Sequence, residues 1–270
     1  MAQAGPPGPH PPAASPYDQS GHRVRFDWGP LGAAAVVADV AVVVDVLSFT
    51  TTLTVALERG IEVFPYEWRD ARASEHAVRH GATLAVGRFE ALARTDSRHV
   101  SLSPATIAAS EGIERLVLPS PNGSSIAFGL LESGREVVGA SLRNASAVGE
   151  YVARRIWRGG SVVVVAAGER WPDDTLRPAV EDLWGAGAVV DALVAHGLDD
   201  LSVEARTAQA SFRAVAPDLR ESMRACSSGR ELRERHFGED VDVAAEHDVS
   251  DVVPVLRGES FVDADGPADR

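Results

Sequence analysis

The chain has 270 residues, 45% hydrophobic and 24% charged, which supports one large core or two small ones and excludes disorder throughout. Its 39 acidic against 26 basic residues leave a formal charge of -13, which argues against nonspecific binding to nucleic acid or anionic membrane. There is no lysine, so Schiff-base and P-loop lysine chemistry are excluded; the single cysteine, Cys226, excludes an internal disulfide and any cysteine-cluster metal site.

Residues 1–21 hold six prolines and no apolar periodicity, the signature of a disordered tail. Val24 to Trp28 and Val36-Val37 read as entry strands joined by a turn at Gly29-Pro30. Ala41 to Val44 has the two-sided apolar character of a strand buried in a parallel sheet, and Thr51 to Leu57 begins a helix that packs back on it. Ile61 to Tyr66 is a strand, Asp70 to His80 a helix with Asp70 as its cap, and Leu84 to Val86 a strand ending at Gly87-Arg88. His76 and His80, flanked by arginines, read as a solvated face. Phe89 to Ser103 loses periodicity and is expected to be a lid.

A short helix follows from Ser103-Pro104 to Ser110, then a strand from Arg115 to Leu118 that delivers PSPNGSS to the helix Ile126 to Leu131. Val137 to Ala140 is a strand, Asn144 to Trp157 a helix, and Ser161 to Ala167 the most apolar strand, which runs into Gly168-Glu169-Arg170. RWPDDTLRP is a loop. The helix from about Pro178 to Leu193 carries Asp182 and the Gly185-Ala186-Gly187 triplet, whose glycines point to close packing against a neighbour. Trp157, Trp171 and Trp184 read as packing residues, with bordering the cleft as the alternative for Trp171 in its acidic loop. Helices are expected at 201–216, 218–224, 229–236 and from Glu239 to near Asp248, with Glu231 to Arg235 a solvated face. Val252 to Leu256 closes the fold before an acidic tail at 262–270.

The alternation predicts a layered α/β/α fold with a mostly parallel or mixed sheet over residues 22–261. A weak echo links strand 42–44 with strand 115–118, each leading to hydroxyls and an apolar helix. It suggests two similar halves, 22–140 and 141–261, around one cleft. No apolar run reaches the roughly 18 residues of a membrane span, and the N-terminus lacks a signal-peptide pattern, so the expected compartment is the cytoplasm.

Chemistry concentrates at Ala41 to Leu57, AVVVDVLSFTTTLTVAL. In open α/β sheets ligands bind at strand carboxyl ends, where helix N-termini present free N–H groups. Asp45 followed by Ser48, Thr50, Thr51 and Thr52 suits a cation with an anion, such as magnesium with phosphate. Asp45 ending a strand beside threonine helix caps reads the same pattern. Asn122, Gly123, Ser124 and Ser125 form a second anion-suited turn, or an ordinary capped turn.

VVVDVLSFTTTLTVAL (42–57), GRFEAL (87–92), SLSP (101–104), SPNGSS (120–125), VVVVAAGER (162–170), EDLWGAG (181–187) and the run from Ser227 to Pro254 together resemble the 2-phosphosulfolactate phosphatase family in order and spacing. The resemblance implies a magnesium-dependent phosphoric monoester hydrolase that converts 2-phospho-3-sulfolactate to sulfolactate and phosphate on the route to coenzyme M. It implies Asp45 and Asp182 as catalytic residues and Mg2+ ligands, since hard carboxylate oxygens suit that ion. Ser48, Thr50, Thr51, Asn122, Gly123 and Ser124 would hold phosphate oxygens, and Arg88 and Arg170 the substrate carboxylate or sulfonate. The chain departs from the family at Ser48, where arginine is usual, and at Phe89, Pro121 and Ala166. Asp240, His247 and Asp248 match the family's last motif without an evident role.

Three functions compete. The first is hydrolysis by a positioned water, on this substrate or another small phospho-acid; the partner is then a small anionic metabolite, with a homo-oligomer left open. The second makes Asp45 a phosphoacceptor as in haloacid-dehalogenase-like enzymes, against which Leu47 stands where that motif has its second aspartate. The third is a degenerate relative that only binds an anionic metabolite.

Overall fold

The computed structural model describes residues 15–67, 71–88, 100–131 and 133–266. Most of the 1–21 tail, the Asp70 cap, most of the expected lid (89–99) and the last four residues of the acidic tail lie outside the described residues. Within 15–21, Gln19 exchanges hydrogen bonds with the Phe26 backbone at 2.8 and 3.2 Å, so ordered chain reaches back to the first strand's edge.

The strands are β1 (Val24–Trp28), β2 (Val40–Val44), β3 (Glu62–Tyr66), β4 (Thr83–Val86), β5 (Val100–Ser101), β6 (Arg115–Pro119), β7 (Glu136–Ala140), β8 (Val162–Ala166), β9 (Glu169–Arg170), β10 (Leu176–Arg177), β11 (Pro254–Arg257) and β12 (Ser260–Asp263). The helices are α1 (Gly29–Ala35), α2 (Phe49–Glu58), α3 (Ala71–His80), α4 (Pro104–Ala109), α5 (Gly123–Gly129), α6 (Ala145–Ile156), α7 (Val180–Ala195), α8 (Val203–Val215), α9 (Leu219–Ala225), α10 (Ser227–Glu234) and α11 (Gly238–Ala244).

Ten strands form one sheet in the order β1-β8-β2-β7-β11-β12-β3-β6-β4-β5. Pairing within β1-β8-β2-β7 and within β3-β6-β4-β5 is parallel, while the hairpin β11–β12 joins the two blocks through antiparallel pairs on both sides. Three antiparallel steps in succession make the blocks run in opposite directions. The order reads alike from either edge: β2 answers to β6, and β8 to β4. The echo between strands 42–44 and 115–118 therefore has a spatial counterpart. Its units are not divided at residue 140, because β8 lies between β1 and β2.

Both sheet faces are covered, which makes the fold α/β/α. Val40, Val42 and Val44 enter a core with residues of α6, α7 and α8, whereas Ala41 and Val43 enter another with residues of α1, α2, α4 and α5. Period-two alternation with both faces apolar is what a strand between two helical layers requires. The glycine triplet packs closely, as expected. A Cβ on Gly185 would lie 2.6 Å from Val46 Cγ2, and one on Gly187 2.2 Å from the Ala208 carbonyl oxygen.

Several local expectations are corrected. Gly29-Pro30 opens α1 with Pro30 in its first turn, because proline's missing N–H costs nothing there. Ser260–Asp263 is a central strand, so the acidic tail begins later than Val262. RWPDDTLRP holds the antiparallel pair β9–β10. His76 is buried, stacked on Tyr66 with ring centroids 4.5 Å apart, and His80 lies 4.3 Å from Phe64; they are not a solvated face. Trp184 packs in the core, whereas Trp157 and Trp171 are exposed. Among the described residues no helix is long and apolar enough to cross a membrane.

Candidate active site

Four loops that follow β2, β4, β6 and β8 converge. Four strands separate β2 from β6 in the sheet, yet the Gly123 amide after β6 donates to Asp45 Oδ2 after β2 at 2.8 Å. Asp45 also accepts the Phe49 amide on Oδ1 at 3.2 Å and the Ser120 hydroxyl on Oδ2 at 3.4 Å. Gly123 must be glycine for this approach, since a Cβ there would lie 2.7 Å from Asp45 Cβ.

A cavity of about 200 Å3 opens at this junction, lined by Asp45, Ser48, Arg88, Ser120, Asn122 and Glu169 among others. The Arg88 guanidinium is oriented by two contacts, Nε to Asp240 Oδ2 at 2.7 Å and Nη2 to Ser48 Oγ at 2.7 Å. Asp240, itself buried, also accepts the Ser103 hydroxyl and, at 3.4 Å, the Ala105 amide. Asn122 Nδ2 donates to Glu169 Oε2 at 3.0 Å. A second chamber of about 430 Å3 adjoins the first, sharing Leu47, Arg88, Leu102 and Glu169 with it, and is walled further by Arg170, Arg177, Arg235 and Phe237.

Asp182 lies beneath the cavity and does not line it. Its Oδ1 accepts the Val46 amide at 2.7 Å and its Oδ2 the Gly168 amide at 2.8 Å, so it ties the loop of Asp45 to the loop of Glu169. The acids crowd one another. Burial, then Asp45, pushes the Asp182 carboxyl well above the usual range; burial also raises Asp45, and burial with the Asp45 charge raises Glu169 to about 7.

Of the residues expected from sequence, Asp45, Ser48, Arg88 and Asn122 meet in the inner cavity and Arg170 in the outer one. Thr50, Thr51 and Ser124 line neither; they are fully buried and serve the backbone. Thr50 Oγ1 donates to the Asp45 carbonyl at 2.8 Å, Thr51 Oγ1 to the Val46 carbonyl at 2.8 Å, and Ser124 Oγ bridges Tyr66 and Leu118. The Gly123 amide is committed to Asp45. Ser120, Glu169, Arg177 and Asp240 were not among the expected site residues; for Glu169 the signal available was its position directly after a buried strand.

Among the described residues no three acidic, imidazole or thiol groups could hold a metal ion by themselves. Magnesium commonly takes one or two carboxylates and fills its shell with phosphate oxygens and water. Two mutually repelling carboxylates on one small cavity, Asp45 and Glu169, fit that ion.

The family model described as 2-phosphosulpholactate phosphatase matches residues 32–259. A protein of Thermus thermophilus named probable 2-phosphosulfolactate phosphatase is 30% identical, over 87% of this chain and 95% of its own length. Proteins of the same name from Deinococcus radiodurans and a Cyanothece strain are 29% and 28% identical over 81% and 82% of this chain, and 88% and 90% of their own. With the family model spanning residues 32–259 and a relative 30% identical over most of both chains, the chain belongs to the 2-phosphosulpholactate phosphatase family.

Proposed function

We propose that this protein is a magnesium-dependent phosphoric monoester hydrolase acting on a small phosphorylated hydroxy acid, with 2-phospho-3-sulfolactate as the leading substrate. The observation that carries the reading is the small cavity at four strand ends, where one oriented guanidinium, two hydroxyls and an amide face two carboxylates.

Phosphoryl transfer asks little covalent chemistry of a protein and much positioning and charge stabilisation. Arg88 offers its remaining N–H groups to the phosphate oxygens, held in direction by Asp240. Ser48, Ser120 and the Asn122 amide surround the same space. Asp45 and Glu169 would hold the magnesium ion, which supplies charge neutralisation and lowers the pKa of a bound water. Asp182 keeps both carboxylates in place through the two backbone amides it accepts. Leu47 gives the aspartyl-phosphate alternative no general acid two residues after Asp45.

The test is phosphate release from 2-phospho-3-sulfolactate by purified, magnesium-loaded protein. Release that a chelator abolishes is the expected result; binding of phosphorylated acids without release from any of a broad panel would replace this reading with that of a non-catalytic binder.

A further inference from the structure

The chain carries a strong net negative charge, yet the wall of the outer chamber gathers Arg88, Arg170, Arg177 and Arg235. Three of them are committed to carboxylates. Arg88 is held by Asp240, Arg170 pairs with Asp174 at 3.1 Å while donating to the Pro121 carbonyl at 3.0 Å, and Arg235 pairs with Glu231 at 3.0 Å. Arg177 differs. It donates to the Ser228 hydroxyl at 3.2 Å and lies 5.8 Å from the Trp171 ring centre, and among the described residues it makes no ion pair.

Its place in the fold is fixed by the small ribbon. Arg177 on β10 stands opposite Glu169 on β9, and Glu169 lines both chambers. A guanidinium on a half-buried wall, steadied by a hydroxyl and an aromatic face and feeling the Glu169 charge without a direct ion pair to it, keeps a planar fork to offer an oxyanion.

We propose that the outer chamber receives the second anionic group of the substrate, a sulfonate or carboxylate on the carbon chain that bears the phosphate, and that Arg177 is the residue that selects it. The proposal rests on the phosphatase reading only for the identity of the first anion. Because the chambers share Leu47, Arg88, Leu102 and Glu169, one small molecule can occupy both.

The test is calorimetric titration of the full chain with sulfolactate, which has no phosphate, and separately with inorganic phosphate. Arg177→Gln is expected to weaken sulfolactate binding by about tenfold or more, the scale of a lost charge-assisted contact, while phosphate affinity changes by less than about twofold. Arg177→Lys, which keeps the charge and loses the fork, should fall between. Thermal melting of each variant separates loss of binding from loss of fold. Equal sulfolactate affinity in wild type and Arg177→Gln, or no sulfolactate binding by wild type, would overturn the proposal. Arg177-dependent binding without any phosphate release would sink the catalytic reading and leave the clamp standing; phosphate release with Arg177-independent binding would do the reverse.

Discussion

The Asp182 carboxylate accepts the backbone amide of Val46, the residue directly after Asp45, at 2.7 Å. Its other oxygen takes Gly168, directly before Glu169, at 2.8 Å. One buried acid thus sets the distance between the two carboxylates of the cavity. Asparagine at this position can satisfy only one of the two amides, since its nitrogen is itself a donor. Asp182→Asn should lower the stability by about 1–3 kcal/mol in a denaturant melt, and phosphate release should fall with it. Unchanged stability would show that the carboxylate does not hold the loops.

Gly123 is one position at which loops of the two blocks of the sheet touch. Its replacement by alanine puts a Cβ 2.8 Å from both Asp45 Oδ2 and Phe49 Cδ1. Gly123→Ala should cost about 1–3 kcal/mol and displace Asp45, whereas Gly129→Ala, with open space around its Cβ, should be neutral or slightly stabilising. Equal melting temperatures for the two variants would contradict the close approach.

Asp240 and Arg88 should act as a unit. Asp240→Asn leaves the guanidinium with a weaker partner and is expected to raise KM, as Arg88→Gln does directly. A double-mutant cycle on kcat/KM should show a coupling above roughly 0.5 kcal/mol. Strict additivity would mean that Asp240 does not orient Arg88.

The acids also predict a pH dependence. Burial first, then the Asp45 charge, raises the Glu169 carboxyl from 4.5 to about 7. Between those values the folded state binds a proton that the unfolded chain has released. Stability therefore falls as the pH rises through that window, and the loss is complete above it. In metal-free protein, Glu169→Gln should gain on wild type by roughly 2 kcal/mol at about pH 8, once partial exposure is discounted, and by much less at about pH 4. A gain that is the same at both values would contradict the shift.

Sequence alone conveyed the alternation of strands and helices, the two-sided burial of β2 and the placing of Asp45, Arg88 and Asn122 after buried strands. It did not convey which hydroxyls face a ligand. Thr50 and Thr51 look like anion contacts because their type fits, but a threonine early in a helix can equally turn its oxygen onto the preceding turn's carbonyl. Ser260–Asp263 was illegible as a strand because four residues with two polar members after a glycine-glutamate pair look like a tail; β11 is its hairpin neighbour, but the second antiparallel partner that makes it central, β3, is remote in sequence. Asp240 had no visible role for a similar reason, since its partners Arg88 and Ser103 lie on other loops. His76 and His80 looked solvated beside arginines, yet their i, i+4 spacing turns both onto Phe64 and Tyr66.

Asp45 is the acid in the cavity on which the proposed hydrolysis depends most. Its most direct test is steady-state phosphate release from 2-phospho-3-sulfolactate by Asp45→Asn beside wild type, with the fold of each checked by thermal melting. We expect the variant to remain folded, with a stability loss of about 1–3 kcal/mol for the amide that asparagine leaves unpaired, and to lose about 100-fold or more in kcat, the scale of removing a group that stabilises the transition state. A folded Asp45→Asn protein with full magnesium-dependent turnover would contradict the account.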